Sequence, residues 1–294
     1  RASQGGMPVS VLSLDNIPSN GWVLKRAVKD AAQNTDLIDE IAVFPSSMVD
    51  RITPATTPEL RDVVEQKIGL EDAVPVAAEP FRQWVLEDSF AHARPPWDLA
   101  GVELVHDVAP YEEMKLRLLN GAHSTLAYLG QLRGHSTVGA AMSDQELVAR
   151  LSQTAKEDVM PTLSLPLQTL QAYWQSLLTR FAAPGLAHRL DQIAMDGSQK
   201  MPIRIFAPLA ELRAKGSAGA GLTRAVAAWI VWLDGLPDVA KDPRAAELQA
   251  GAGAGADERV AQICALPNLV PPSLQHDTEW RAELARAIAK HVLR

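Results

Sequence analysis

Apolar and polar positions change period about a third of the way along this 294-residue chain. Up to about residue 105 the apolar residues come in short runs. PVSVLSL at residues 8–14 alternates as a half-buried strand does and runs into DNIPSNG, a turn cluster of Asn, Pro, Ser and Gly. WVLKRAVKDAAQNTDLIDEIA follows with apolar spacing near three and four and predicts a helix. VFPSSMVDRITP predicts a second short strand leading into a loop, PFRQWVLED a third and GVELVHDV a fourth. Beyond about residue 110, long stretches at helical spacing take over, around 111–133, 144–160, 167–181, 185–196, 222–234, 257–265 and 278–293, divided by Pro, Gly or polar breaks. SDQELVARL puts Ser143 three residues before Glu146, a capping-box spacing that predicts Ser143 as the N-cap. The fold class expected is mostly α with a small α/β portion at the N-terminal end.

Composition narrows what such a chain does. With 47% hydrophobic and 21% charged residues it buries a sizeable core, and no apolar run approaches the roughly 18 residues that span a bilayer. A formal charge of -7 argues against nucleic acid as a partner, because duplex binding draws on concentrated Lys and Arg. A single cysteine, Cys264, excludes an internal disulfide, fits a reducing cytoplasm and reads as an inert core thiol. GSAGAG at 216–221 and AGAGAGAD at 250–257 lack the Lys-Ser/Thr of a phosphate loop and read as flexible connections. His92, His106, His135, His188, His276 and His291 show no metal-ligand spacing, so no metal is expected. The opening RASQGGMPVSVLSLDN has neither an initiating Met nor a leader pattern, and a strand within ten residues predicts further sequence upstream.

The stretch YEEMKLRLLNGAHSTLAYL, residues 111–129, carries the candidate chemistry. With the α-helical step of about 100° and Lys115 at zero, Glu112 falls near 60°, His123 near 80° and Asn120 near 140°. A carboxylate, an amine, an amide and an imidazole thus share one sector among leucines. One reading is a partly exposed helix with a Glu112–Lys115 pair and a helix end at Asn120-Gly121. The other is a site, because burying Asn and His without partners costs about 1–3 kcal/mol each and needs a reason. A desolvated lysine becomes a general base near neutral pH, and an amide N–H stabilises an oxygen that turns negative. Together they suit oxidation of an alcohol to a ketone.

SLDNIPSNG, FPSSMVDRITP, EPFRQWVLED, YEEMKLRLLNGAHS and RFAAPGLAHRLDQIAMDGSQKMPIR, in that order, resemble the polyol-specific long-chain dehydrogenases: mannitol 2-dehydrogenase, arabinitol dehydrogenase and fructuronate reductase. The resemblance runs from about residue 8 to the last helix. It implies residues 1–105 as the C-terminal part of a dinucleotide-binding α/β domain and 106–294 as a helical substrate-binding and catalytic domain. It also implies Lys115 as general base, Asn16 and Asn120 as oxyanion donors, and Glu112 as a proton relay. His123, Lys200 and Arg204 would bind substrate, and Val49 and Asp50 would lie beside the reacting end of cofactor and substrate.

The glycine-rich fingerprint GxGxxG with its following acid is absent from these residues, which predicts that the N-terminal Rossmann part is missing. The function implied is a metal-independent oxidoreductase that uses NAD, with NADP open because the discriminating acid is not present. It would interconvert a linear polyol and its ketose, as a monomer or weak oligomer. A sugar-acid reductase of the fructuronate type is the alternative within the class. A helical binding module without catalysis is the alternative outside it.

Overall fold

In the computed structural model the described residues are 6–32, 35–183, 188–235 and 241–292. The chain divides into two compact units, Arg1–Glu113 and Met114–Arg294.

The first unit contains two small sheets. β1 (Val9–Ser10) pairs in parallel with β2 (Ala42–Val43), and Val11 N–H extends the ladder to Val43 O at 2.9 Å. The single helix predicted between them is two, α1 (Asn20–Ala31) and α2 (Thr35–Ile41), because Ala32 is extended at φ -86°, ψ 142°. β3 (Ser47–Asp50) pairs antiparallel with β4 (Gln83–Glu87), which pairs in parallel with β5 (Glu103–Val105). Met48, Val85 and Val108 form the core under that sheet, with Val105 and Tyr111 packed on it.

One helix of this unit escaped the periodicity. α3 (Pro58–Ile68) has Thr57 accepting from Leu60 N–H at its start and Gly69 at φ 71° at its end, yet buries no residue. Its punctuation is complete, but its apolar stripe is too thin to register as a period.

The second unit is helical. α4 (Ala109–Met114), nearly all of it the end of the first unit, leads into a π-helical segment, Lys115–Asn120, and then α5 (Gly121–Leu132). α6 (Val138–Met142) and α7 (Gln145–Thr154) follow, and α7 runs into a second π segment, Ala155–Val159. Asp144, not Ser143, is the N-cap of α7: its carboxylate accepts from Leu147 N–H at 3.1 Å, which holds its pKa down to about 2. Aspartate at that position makes the cap bond that the capping-box pattern had assigned one residue earlier. After α8 (Leu167–Ala182) and α9 (Leu190–Ala194), α10 (Gly197–Met201) enters a third π segment, Pro202–Phe206, and then α11 (Ala207–Ala214).

Pro202 and Pro208 interrupt the sequence pattern over α10 and α11, so this stretch was not predicted as helix. α12 (Ala220–Gly235) is the central helix and packs on α5, α7 and α16 (Thr278–Val292). Phe206 meets Trp229 and Trp280 edge to face at 6.2 and 6.4 Å. Gly221 belongs to α12 and not to a flexible connection: a Cβ there would lie 2.3 Å from Thr154 Oγ1. α13 (Ala245–Gln249), α14 (Ala256–Ala265) and α15 (Pro272–Gln275) complete the unit. Cys264 is buried on α14, and burial pushes its thiol pKa up.

Candidate active site

In the first unit Asn16 and Glu112 meet at the turn after β1. Asn16 is exposed in that turn, which lies at the carboxyl end of a strand in a parallel pair. Ser19 sits at φ 50°, a left-handed conformation that a non-glycine residue holds only under external constraint. The constraint is visible: Ser19 N–H donates to both carboxylate oxygens of Glu112, at 2.9 and 3.2 Å. The second asparagine of DNIPSNG, Asn20, is fully buried, which the turn pattern does not predict. Its Nδ2 donates to Ser47 O, Asp15 O and Ser13 O at 2.8, 3.0 and 3.1 Å, while its Oδ1 accepts from Ser47 N–H at 2.8 Å. Asn20 therefore clasps the turn to β3.

Gly21 explains the Asn-Gly pair. A Cβ at that position would fall 2.4 Å from Phe44 O, so only glycine lets α1 approach the link between β2 and β3. Val49 and Asp50 are adjacent on β3, so their side chains leave opposite faces of the sheet. Asp50 is buried and Val49 half-buried.

In the second unit the candidates lie on the helical stretch Lys115–Leu132 and on the Gly197–Ala214 stretch. The 100° arithmetic fails at its first step, because Lys115–Asn120 is π-helical. Hydrogen bonds that close at i→i+5 bring Asn120 about one turn above Lys115, rather than well round the axis from it. Asn120 and Gly121 do not end the helix either, since both have right-handed helical dihedrals and α5 continues to Leu132. Lys115 and His123 are buried at 8% and 6% exposure, a degree that a surface helix would not show.

Around His123 the chain assembles cations and rings. The imidazole stacks on Phe181 at 4.5 Å and meets His188 edge to face at 5.1 Å, while Nε2 is buried with no hydrogen-bond partner among the described residues. Burial first, then the nearby His188, Arg204 and Arg180, hold its pKa well below 6.5, so the ring is neutral. Burial lowers His188 as well.

Arg204, in the third π segment, donates from Nη1 to Asn120 O at 3.4 Å and to Ser124 Oγ at 3.2 Å, while its Nε is buried without a partner among the described residues. Lys200 Nζ donates to Met195 O at 2.6 Å and Ile193 O at 3.3 Å, and stands 4.0 Å from Asp196. Desolvation and then Arg204 lower its pKa. Asp196 carries φ 56°, a second left-handed non-glycine residue beside a candidate site. Gly197 next to it is needed for closeness, since a Cβ there would lie 2.7 Å from Trp229 Nε1 and 3.0 Å from Tyr128 OH.

The second unit thus brings Asn120, His123, Ser124, Lys200 and Arg204 into one connected set, with Lys115 on the same π segment as Asn120. Asn16, Glu112, Val49 and Asp50 belong to the first unit. Among the described residues no group of three or more His, Cys, Asp or Glu could hold a metal ion. No helix there is long and apolar enough to cross a membrane.

Comparison with known proteins decides the family. Residues 1–99 match the mannitol dehydrogenase Rossmann domain and residues 107–291 the mannitol dehydrogenase C-terminal domain.

The chain belongs to the mannitol dehydrogenase family.

The expectation that the Rossmann part is missing is thereby overturned, since residues 1–99 are Rossmann-domain sequence. The glycine fingerprint is one turn of that fold, and its absence here does not remove the parallel β1–β2 pair with its intervening helices.

The family relatives include D-mannonate oxidoreductase of Escherichia coli, 42% identical over 260 residues, which cover 85% of this chain and 54% of the relative. Mannitol 2-dehydrogenase of Aspergillus terreus is 36% identical over 302 residues, 98% of this chain and 60% of the relative. Among solved structures, the Pseudomonas fluorescens mannitol 2-dehydrogenase ternary complex with NAD and D-mannitol is 35% identical. It aligns at a TM-score of 0.81 over 99% of this chain and 61% of that one. A substrate-free D-sorbitol dehydrogenase is 31% identical at a TM-score of 0.85, covering 100% of this chain and 61% of that one. The chain spans between half and about three fifths of the length of these relatives.

Proposed function

We propose that this chain carries the substrate-side machinery of an NAD-dependent oxidoreductase that interconverts a linear polyol and its ketose, of the mannitol and fructose type. The single observation that carries the reading is the buried π segment with Lys115 at one end and Asn120 at the other, followed by buried, neutral His123. In the oxidation, Lys115 as free amine takes the proton of a secondary hydroxyl while the C–H of the same carbon leaves as hydride. Bound NAD would supply the hydride acceptor. Asn120 and Asn16 donate hydrogen bonds to the oxygen as it becomes negative, and Glu112 carries the lysine's proton onward. His123, Lys200 and Arg204 hold the remaining substrate oxygens. The buried lone pair or N–H of His123 Nε2 and the buried Arg204 Nε are left for a ligand to satisfy.

The first unit fits a dinucleotide in part. Its turn follows the carboxyl end of a strand in a parallel pair, where open α/β sheets take ligands, and Val49 and Asp50 are the residues proposed to stand beside the nicotinamide end. These 294 residues offer no glycine-rich turn for a pyrophosphate. Monomeric or weakly associated behaviour in a reducing cytoplasm belongs to the same proposal.

Sugar-acid reduction is a second reading, favoured by Lys200 and by Arg204 with its open Nε, a pair that suits a terminal carboxylate. The relative named D-mannonate oxidoreductase supports it. Turnover of mannitol, arabinitol and mannonate by the intact protein separates the two. A preference for the neutral polyols rejects the sugar-acid reading, and a preference for mannonate rejects the first.

A further inference from the structure

Arg117 lies between Lys115 and Asn120 in the first π segment, and nothing in the proposed chemistry uses it. It is buried at 7% exposure. Its guanidinium makes a forked contact with Glu211 on α11: Nη1 donates to Oε2 at 2.6 Å and Nη2 to Oε1 at 2.7 Å. Nη1 also donates to Thr162 O at 3.0 Å, on the turn that follows the second π segment. One side chain therefore ties the first π segment to α11, which continues from the third, and to the exit of the second.

Arg204 makes the reciprocal connection. It reaches from the third π segment back to Asn120 O and Ser124 Oγ. Between these two crossings the backbones come close, since a Cβ on Gly121 would lie 3.3 Å from Arg204 O. A π turn holds one residue more than the α-helix around it, so relaxing it to α geometry would rotate Asn120 away from its place above Lys115 by about a residue's step of 100°. Something outside the helix must hold that extra residue in place. The forked Arg117–Glu211 pair is placed to do so, because two parallel N–H···O bonds fix the direction as well as the distance of the segment they grip.

We propose that Arg117, through Glu211, is a positioning residue that keeps Lys115 and Asn120 in register across the π segment. The proposal rests on the roles given to Lys115 and Asn120 above. In this proposal neither Arg117 nor Glu211 has a contact with substrate; the guanidinium is engaged by Glu211 and Thr162 O.

The test is steady-state kinetics on the intact protein for Arg117→Lys, Glu211→Gln and the exchanged pair Arg117→Glu with Glu211→Arg. Each variant is read with protiated mannitol and mannitol deuterated at carbon 2, beside Lys115→Ala as reference. Misplacing a general base by a fraction of an ångström to an ångström is expected to lower kcat by about 10- to 100-fold. KM should stay within about twofold, and the primary isotope effect on kcat should rise because the chemical step becomes limiting. Partial recovery of kcat in the exchanged pair supports the proposal further. Glu211 is 43% exposed, so Glu211→Gln keeps the test open if an Arg117 variant does not fold.

Wild-type kcat and isotope effect in Glu211→Gln, or losses that track only the folded fraction, would overturn the positioning role. If Lys115→Ala is itself fully active, the reading beneath the proposal fails instead, and the two failures are distinct.

Discussion

Asn20 and Ser47 bind each other twice: Ser47 N–H donates to Asn20 Oδ1 and Asn20 Nδ2 donates to Ser47 O, both at 2.8 Å. The pair fixes the turn that carries Asn16 to the strand that carries Val49 and Asp50. Asn20→Ala would leave Ser47 N–H and Ser47 O without this partner in a buried place, a loss of about 2–3 kcal/mol. Asn20→Asp repairs only the acceptor and is expected to fall between the two. Denaturant unfolding of the three proteins checks the order, and a wild-type midpoint for Asn20→Ala would count against the clasp.

Gly21→Ala should be worse than its small size suggests. The new methyl would stand 2.4 Å from Phe44 O, a backbone atom that cannot swing aside. Its destabilisation is expected to exceed that of an alanine substitution at Gly139, where a Cβ meets nothing within 4 Å, by several degrees in Tm. Equal melting temperatures would contradict the close approach.

His123 makes stability depend on pH in a stated direction. Folded, its pKa lies well below the 6.5 of an exposed imidazole, chiefly through burial, and His188 is lowered too. Below about pH 6.5 the unfolded rings therefore bind protons that the folded rings do not. The unfolding free energy is flat with respect to these groups above that pH and falls as the pH drops beneath it. Denaturant unfolding between pH 7.5 and 5.5 should show a steeper decline for the wild type than for His123→Phe. Identical slopes would remove His123 from the account.

Arg204 separates the two substrate readings. With Nη1 engaged on Asn120 O and Ser124 Oγ and Nε without a partner among the described residues, Arg204→Gln is expected to raise KM for the better substrate by about 10-fold or more. If mannonate suffers far more than mannitol, Arg204 holds a carboxylate. If both suffer alike, it holds hydroxyl oxygens or the Asn120 backbone.

The long helices and four of the strands were legible because burial imposes a period on them, as in α8, α12 and α16. What stayed hidden has specific causes. α3 has a proper cap and stop but buries no side chain, so no period marks it. Pro202 and Pro208 masked a helical stretch in which each proline stands in the first positions of its segment, Pro202 in Pro202–Phe206 and Pro208 in α11. Lys115, Asn120 and His123 were visible as polar residues on a leucine-rich stretch, yet their angular arrangement was not. No local propensity distinguishes KLRLLN as π-helical; contacts far along the chain, Arg117 with Glu211 and Arg204 with Asn120, accompany that turn. Asn20 was legible only as another turn asparagine, because its partners, Ser13 and Asp15 just before it and Ser47 on β3, meet only in the folded unit.

The central claim is that Lys115 removes the hydroxyl proton. Its most direct test is the pH dependence of kcat/KM for mannitol oxidation by the intact protein and by Lys115→Ala, with cofactor binding measured alongside. The variant is expected to bind NAD as the wild type does, to lose about 100-fold or more in kcat/KM near neutral pH, and to recover part of it at high pH where hydroxide serves as base. Lys115→Ala with wild-type kcat/KM across that range would contradict it.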